Sequence, residues 1–156
     1  MKSDERDSEY PLGPAFEFLQ QLWKLDHARE QLSLRMETRL GVTAQQRFLL
    51  RVVSRYPGIG AGQLARLLHV DSGTVSASLA RLETKSLIER HRDPRDKRRA
   101  SLCLTARGRA LDQPTPGTAE HVVEQFLEDI SESDLKTTMR VLELLTKRID
   151  ASQPGA

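Results

Sequence analysis

Four basic side chains crowd one short stretch, Arg95, Lys97, Arg98 and Arg99, with Asp96 among them. A little upstream lies a different set, Ser72, Gly73, Thr74, Ser76 and Ala77, in which every side chain is small and most are polar. Clustered cations neutralise phosphates, and a helix face of small hydroxyls and glycine approaches another surface closely, as entry into a DNA groove requires. The chemistry implied is therefore polyanion binding rather than bond making. No nucleophile beside a base, no pair of carboxylates and no cofactor loop marks the chain as an enzyme or calls for a cofactor. His27, His69, His91 and His121 are scattered, without a Cys or carboxylate cluster at ligand spacing, so no metal site is expected. Gly58-Ile59-Gly60-Ala61-Gly62 looks like part of a dinucleotide fingerprint, but it follows a helical pattern and has Gln63 where a third glycine belongs. A turn and a flexible helix start explain these glycines.

The elements that must hold the two sets run from Ala61 to Thr105. Leu64, Leu67 and Leu68 fall on one side of a short helix, and Val75, Leu79 and Leu82 recur at i, i+4 and i+7 on a second. His69-Val70-Asp71 leaves room only for a sharp turn between them. Asp71 and Ser72 are both good N-caps, which puts Ser72, Gly73, Thr74, Ser76 and Ala77 on the outer face of the second helix. Leu87 to Arg92 and Ala100 to Leu104 then read as strands joined by the turn chemistry of Asp93-Pro94-Arg95-Asp96. The pattern is a helix-turn-helix followed by a basic hairpin. From Arg81 to Arg109 there are ten basic and four acidic residues, whereas the whole chain is only +2 and residues 110–156 sum to −5. Positive charge is thus focused on this region, which suits a polyanion.

At 156 residues, one domain with its own core is the default. A single Cys and the lack of a secretory or transmembrane segment predict a soluble protein of a reducing compartment, the cytoplasm, with no membrane partner. Residues 1–10 read as a disordered tail. A helical pattern from Ala15 to Leu40 carries Phe16, Leu19, Leu22, Trp23, Leu25, Leu32, Met36 and Leu40 on or near one face. Gly41 ends it, and Thr43 caps a helix from Ala44 to Tyr56 with Phe48, Leu49, Val52 and Val53 expected in the core. Thr105 caps a further helix that meets Gln113-Pro114-Thr115-Pro116-Gly117, where a break is expected before a restart near Thr118. A last helix follows Ser131 or Ser133, with Leu135, Met139, Leu142, Leu145 and Ile149 as its stripe. The terminal stripes exceed what a compact lobe alone covers and look like half of an interface. The expected fold class is mainly α with a small antiparallel β wing: a helix-turn-helix lobe over residues 43–111, with terminal helices over 11–42 and 112–152 that the resemblance described next implies are dimerisation helices.

The run from Leu40 to Leu111 resembles the winged helix-turn-helix core of the MarR family of bacterial transcriptional regulators. The resemblance rests on Gln46, Pro57-Gly58, Val70-Asp71, Thr74-Val75-Ser76, Arg81-Leu82-Glu83, Leu87-Ile88-Glu89-Arg90, Asp96-Lys97-Arg98-Arg99 and Leu104-Thr105 followed by Gly108. It implies a homodimeric repressor on double-stranded DNA, with a pseudo-palindromic operator whose half-sites lie roughly 34 Å apart. It places Ser72, Gly73, Thr74, Ser76 and Ala77 near bases and phosphates, with Ala77 limited to apolar contact, and Arg81 against phosphate or bracing the hairpin. Arg98 would enter the minor groove, Asp96 would orient the wing, and Arg95, Lys97 and Arg99 would meet phosphates. The chain has no Asn, so the bidentate contact of Asn with adenine is excluded. Small aromatic or phenolic effectors bind such proteins between the first helix and the lobe; Trp23 and His27 are the candidates here, with dimer packing as the other reading. Ser86 replaces the family's usual Gly: a left-handed backbone there would cost about 1 kcal/mol, and otherwise the turn differs and re-aims the wing. Cys103 does not match the sensing cysteine of peroxide-responsive relatives and is expected to be structural or incidental. From another class, a winged-helix module that meets an acidic protein partner would also use a basic hairpin.

Overall fold

The computed structural model describes residues 12–92 and 100–152. They divide into two compact units, the first ending at Asp112 and the second beginning at Gln113. The expected tail and the loop that carries Arg95, Asp96, Lys97, Arg98 and Arg99 lie outside the described residues.

In the first unit, α1 (Pro14–Leu40) opens with proline at its first position, where the missing N–H costs nothing. It closes at Gly41, whose φ of 73° only glycine adopts easily. α2 (Ala44–Arg55) begins with a full capping box: the Thr43 hydroxyl accepts from the Gln46 N–H, and the Gln46 side chain accepts from the Thr43 N–H. α3 (Ala61–Leu68) and α4 (Ser72–Thr84) follow, joined by a turn in which His69 takes φ 51°. The hairpin of β1 (Ile88–Arg92) and β2 (Ala100–Leu104) is antiparallel, pairing Ile88 with Leu104 and Arg92 with Ala100. On the other edge of β2, Gly58 N–H donates to Leu102 O and Leu102 N–H donates to Ile59 O, both at 3.0 Å. The short α5 (Ala106–Leu111) closes the unit, capped by Thr105.

One core gathers Leu49, Leu50 and Val53 from α2, Leu64 from α3, Val75, Leu79 and Leu82 from α4, and Leu87, Ile88, Leu102 and Leu104 from the hairpin. Removing these side chains from water is the main term holding the unit together. α2 departs from expectation. Phe48 is 56 % exposed, Val52 is only half-buried, and Leu50 and the charged Arg47 are buried instead. The buried stripe of α2 is Gln46, Arg47, Leu49, Leu50 and Val53, so Phe48 points off it. On α3, Leu67 is likewise exposed, leaving Leu64 and Ala65 as the buried pair.

In the second unit, the chain resumes as α6 (Ala119–Asp129) with Thr118 as N-cap residue, and continues as α7 (Glu132–Ala151), capped by Ser131. Neither helix has a fully buried residue. Val123, Phe126, Met139 and Ile149 are each more than half exposed, as are Phe16, Leu19, Trp23 and Leu25 on α1. Among the described residues no helix is long and apolar enough to cross a membrane.

Candidate nucleic-acid interface

The outer face of α4 is built from its cap. Asp71 accepts from the N–H groups of Gly73 at 2.7 Å and Thr74 at 3.0 Å, and also from the Thr74 hydroxyl. That hydroxyl first, then the two amides, hold the Asp71 carboxyl below its ordinary range. Two of the small residues therefore have a structural task. The Thr74 hydroxyl is committed to Asp71, and a β-carbon on Gly73 would stand 2.9 Å from Asp71 Oδ1. With the cap in place, Val75, Ser78, Leu79 and Leu82 turn inward, while Ser72, Gly73, Thr74, Ser76, Ala77 and Arg81 are all exposed.

Ala80 lies on the same open face, between Ser76 and Arg81, and the sequence reading overlooked it. The signal was present, because Ala80 is four residues from Ser76 and seven from Gly73. The face is thus shallow along most of its length, with a long cation only near its carboxyl end.

The hairpin projects beside this helix. Leu102, Leu104 and Ile88 face the core, while Glu89 with Cys103 and His91 with Ser101 form cross-strand pairs on the opposite face. Cys103 is half-buried there, as its outward alternation required. Arg90 Nε lies 2.7 Å from Glu83 Oε1, so an ion pair from β1 to α4 braces the wing. Arg81 has no ion-pair partner among the described residues; Arg90 is the brace.

Some of the basic residues counted in this region also make hydrogen bonds within the frame. Lys85 Nζ donates to Gly41 O at 2.7 Å and Gln46 Oε1 at 2.9 Å, fastening the end of α4 to the turn between α1 and α2. Arg107 donates to Lys85 O and Arg109 to Leu104 O. These hydrogen bonds stiffen the frame while Arg107 and Arg109 stay exposed, so their charge still adds to that of Arg81 and Arg90 at the surface.

Ser86, between α4 and β1, has φ 54°, the left-handed conformation for which glycine is suited. Its N–H donates to Glu83 O at 2.8 Å, and its carbonyl accepts from the Thr105 hydroxyl at 2.7 Å. Serine thus keeps the turn that glycine would make, under strain. Trp23 and His27 lie four apart on α1; Trp23 is 78 % exposed and His27 is exposed as well. No group of His, Cys, Asp and Glu among the described residues is arranged to hold a metal ion.

Comparison with known proteins gives this geometry relatives. Residues 40–99 match the model of the MarR family. The transcriptional regulator HosA of Escherichia coli O111:H- is 30 % identical over 128 residues, spanning 82 % of this chain and 91 % of HosA. Among solved structures, the MepR–DNA complex of S. aureus superposes with a TM-score of 0.69 at 21 % identity, covering 86 % of this chain and 97 % of MepR. Streptococcus pneumoniae FabT in complex with DNA gives 0.61 at 23 % identity, covering 88 % and 96 %.

Proposed function

Since the chain belongs to the MarR family of winged-helix transcriptional regulators, whose members are non-enzymatic DNA-binding proteins, we propose that it is a sequence-specific, cytoplasmic repressor that occludes a promoter as a homodimer. The observation that carries this reading is the outer face of α4, where Ser72, Gly73, Ser76, Ala77 and Ala80 allow a major groove to close on the helix and Arg81 meets a phosphate. Readout is then sparse. Ser72 and Ser76 offer hydroxyls, Ala77 an apolar contact, and DNA shape supplies the rest. From the wing, Arg98 enters the minor groove, Arg95, Lys97 and Arg99 neutralise phosphates, and Asp96 orients the loop.

Dimerisation rests on α1, α6 and α7, with residues 11–42 and 112–152 as the dimer arms and 43–111 as the DNA-binding lobe. A soluble chain that exposes Phe16, Trp23, Phe126 and Met139 gains by covering them. A small aromatic or phenolic ligand held against Trp23, with His27 as its polar contact, would release DNA by binding better to a dimer whose recognition helices no longer match successive grooves.

The test is selection of bound duplexes from a random pool at near-physiological salt. The expected result is a pseudo-palindrome with half-sites one helical turn apart, bound with steep salt dependence and weakened about tenfold or more by Arg98→Ala. No enrichment, together with capture of an acidic protein through the hairpin, would replace this reading with that of a protein-interaction module.

A further inference from the structure

A surface hydroxyl is ordinarily indifferent to its partner, because its proton swings so that the oxygen either donates or accepts. Thr74 has lost that freedom. The N–H groups of Gly73 and Thr74 converge on one oxygen of Asp71, Oδ1, at 2.7 and 3.0 Å, and the Thr74 hydroxyl meets the other oxygen, Oδ2. An ionised carboxylate can only accept, so the hydroxyl proton lies between Thr74 Oγ1 and Asp71 Oδ2. The carboxyl remains ionised throughout the neutral range, since the Thr74 hydroxyl above all, and then the amides, hold it below its ordinary value. Thr74 is itself exposed, and what it has left to offer is lone pairs. Toward anything that approaches, it is an acceptor only, set beside a second acceptor that carries a full negative charge.

That polarity excludes most of the groups DNA presents. Phosphate oxygens accept and are anionic, so both Thr74 and Asp71 turn them away, and the two amides that a helix start would otherwise lend to a phosphate are already taken. Guanine O6 and N7 and thymine O4 also only accept. What remains in a major groove is an exocyclic amino group, N4 of cytosine or N6 of adenine. Each base pair shows such a group there on one strand alone, so this contact reads the orientation of the pair.

We infer that Thr74 is a specificity-determining residue, an obligate acceptor that selects adenine or cytosine over guanine or thymine at one position of the operator half-site, with Asp71 as the positioning residue that fixes its polarity. The inference rests on the DNA-binding reading above and assigns a base class to one of its contacts.

The first measurement needs no DNA: titration of the Asp71 carboxyl by carbon NMR. It should move back toward its ordinary value in Thr74→Val, which keeps the side chain's shape, and stay low in Thr74→Ser. The second is selection of duplexes from a random pool by the parent and the variants. One half-site position in the parent should favour adenine or cytosine by about fivefold, the worth of a single hydrogen bond, and the base found tells which amino group is read. Thr74→Val should lose that preference and no other, while Thr74→Ser should retain it. Asp71→Asn should reverse it. The two amides still demand an oxygen, which leaves the new NH2 group facing Thr74, so the hydroxyl must accept inward and its freed proton donates outward, to guanine or thymine. A carboxyl that titrates alike in the parent and Thr74→Val overturns the lock. A parent that favours guanine or thymine at the affected position, a profile unchanged in Thr74→Val, a preference lost in Thr74→Ser or no reversal in Asp71→Asn overturns the assignment while DNA binding stands. A parent that selects no duplex overturns the DNA-binding reading itself and this assignment with it.

Discussion

Gly108 runs beneath the carbonyl of Leu87 so closely that a β-carbon at position 108 would stand 2.0 Å from the Leu87 oxygen and 3.0 Å from its carbon. The same carbonyl accepts from the Thr105 N–H at 3.1 Å, and the Thr105 hydroxyl accepts from the Gly108 N–H at 3.0 Å. The start of the hairpin, its end and the first turn of α5 are thus welded at one point. Gly108→Ala is expected to cost about 3 kcal/mol, because the obstacle is backbone rather than a movable side chain, and urea unfolding would measure it. A loss of less than about 1 kcal/mol would mean that α5 can shift away from the hairpin freely.

Ser86 supplies the opposite case. At φ 54° its β-carbon costs about 1 kcal/mol, and its side chain is exposed. Ser86→Gly removes that strain but gives the unfolded chain more freedom, so a net gain of about 0.5 kcal/mol is expected. The thermal midpoint should rise by roughly 1–2 °C. A fall would show that the serine side chain has a use not evident from its contacts.

Stability at acid pH should depend on Asp71. Its carboxyl is held below the ordinary value of 3.8 by Thr74 and Gly73, so its contribution is complete above that value and is lost as pH falls through the lower folded one. The gap in thermal midpoint between the parent and Asp71→Ala should therefore be constant from neutral pH down to the mid-acid range and close below about 3.8. Asp71→Asn keeps an acceptor for the two amides and should show a much flatter acid profile. A gap that persists unchanged through the acid limb would assign the loss to something other than the charged cap.

The exposed face of α7 should govern assembly. Met139 is 63 % exposed and Leu142 40 %, three residues apart on one stripe. Leu142→Glu should weaken self-association at least about a hundredfold, since a carboxylate would be buried in each copy. Sedimentation would then return the 17.6 kDa of a single chain where the proposed dimer of the parent would return twice that, with helix content unchanged. If the variant sediments like its parent, the second-unit helices do not join the copies.

The helix-turn-helix and hairpin were legible because their signals are local. Val75, Leu79 and Leu82 repeat at helical spacing, Asp71 caps its own helix, and Leu102 and Leu104 alternate on a strand. The breaks at Gly41 and Pro114 were legible for the same reason. α2 misled because hydrophobicity alone placed Phe48 inward. Its actual stripe includes Arg47, whose partner Leu111 is 64 residues away, and no local pattern announces such a need. Lys85 and Arg107 counted toward the basic field by composition, and their further task, donating to the Gly41 and Lys85 carbonyls, depends on groups 44 and 22 residues away. Serine at position 86 in a glycine's conformation was recognisable as a question, and only the backbone angle could answer it.

The hairpin register also sets how this protein could diverge. Arg92 is paired with Ala100, and Leu102 is held on its far edge by Gly58 and Ile59, so β2 is bonded on both edges and β1 is held through it. None of those backbone bonds involves residues 93–99, so the strands form a chassis that does not draw on the side chains of that interval. Descendants of this chain could acquire new surface chemistry there without re-solving the folding problem.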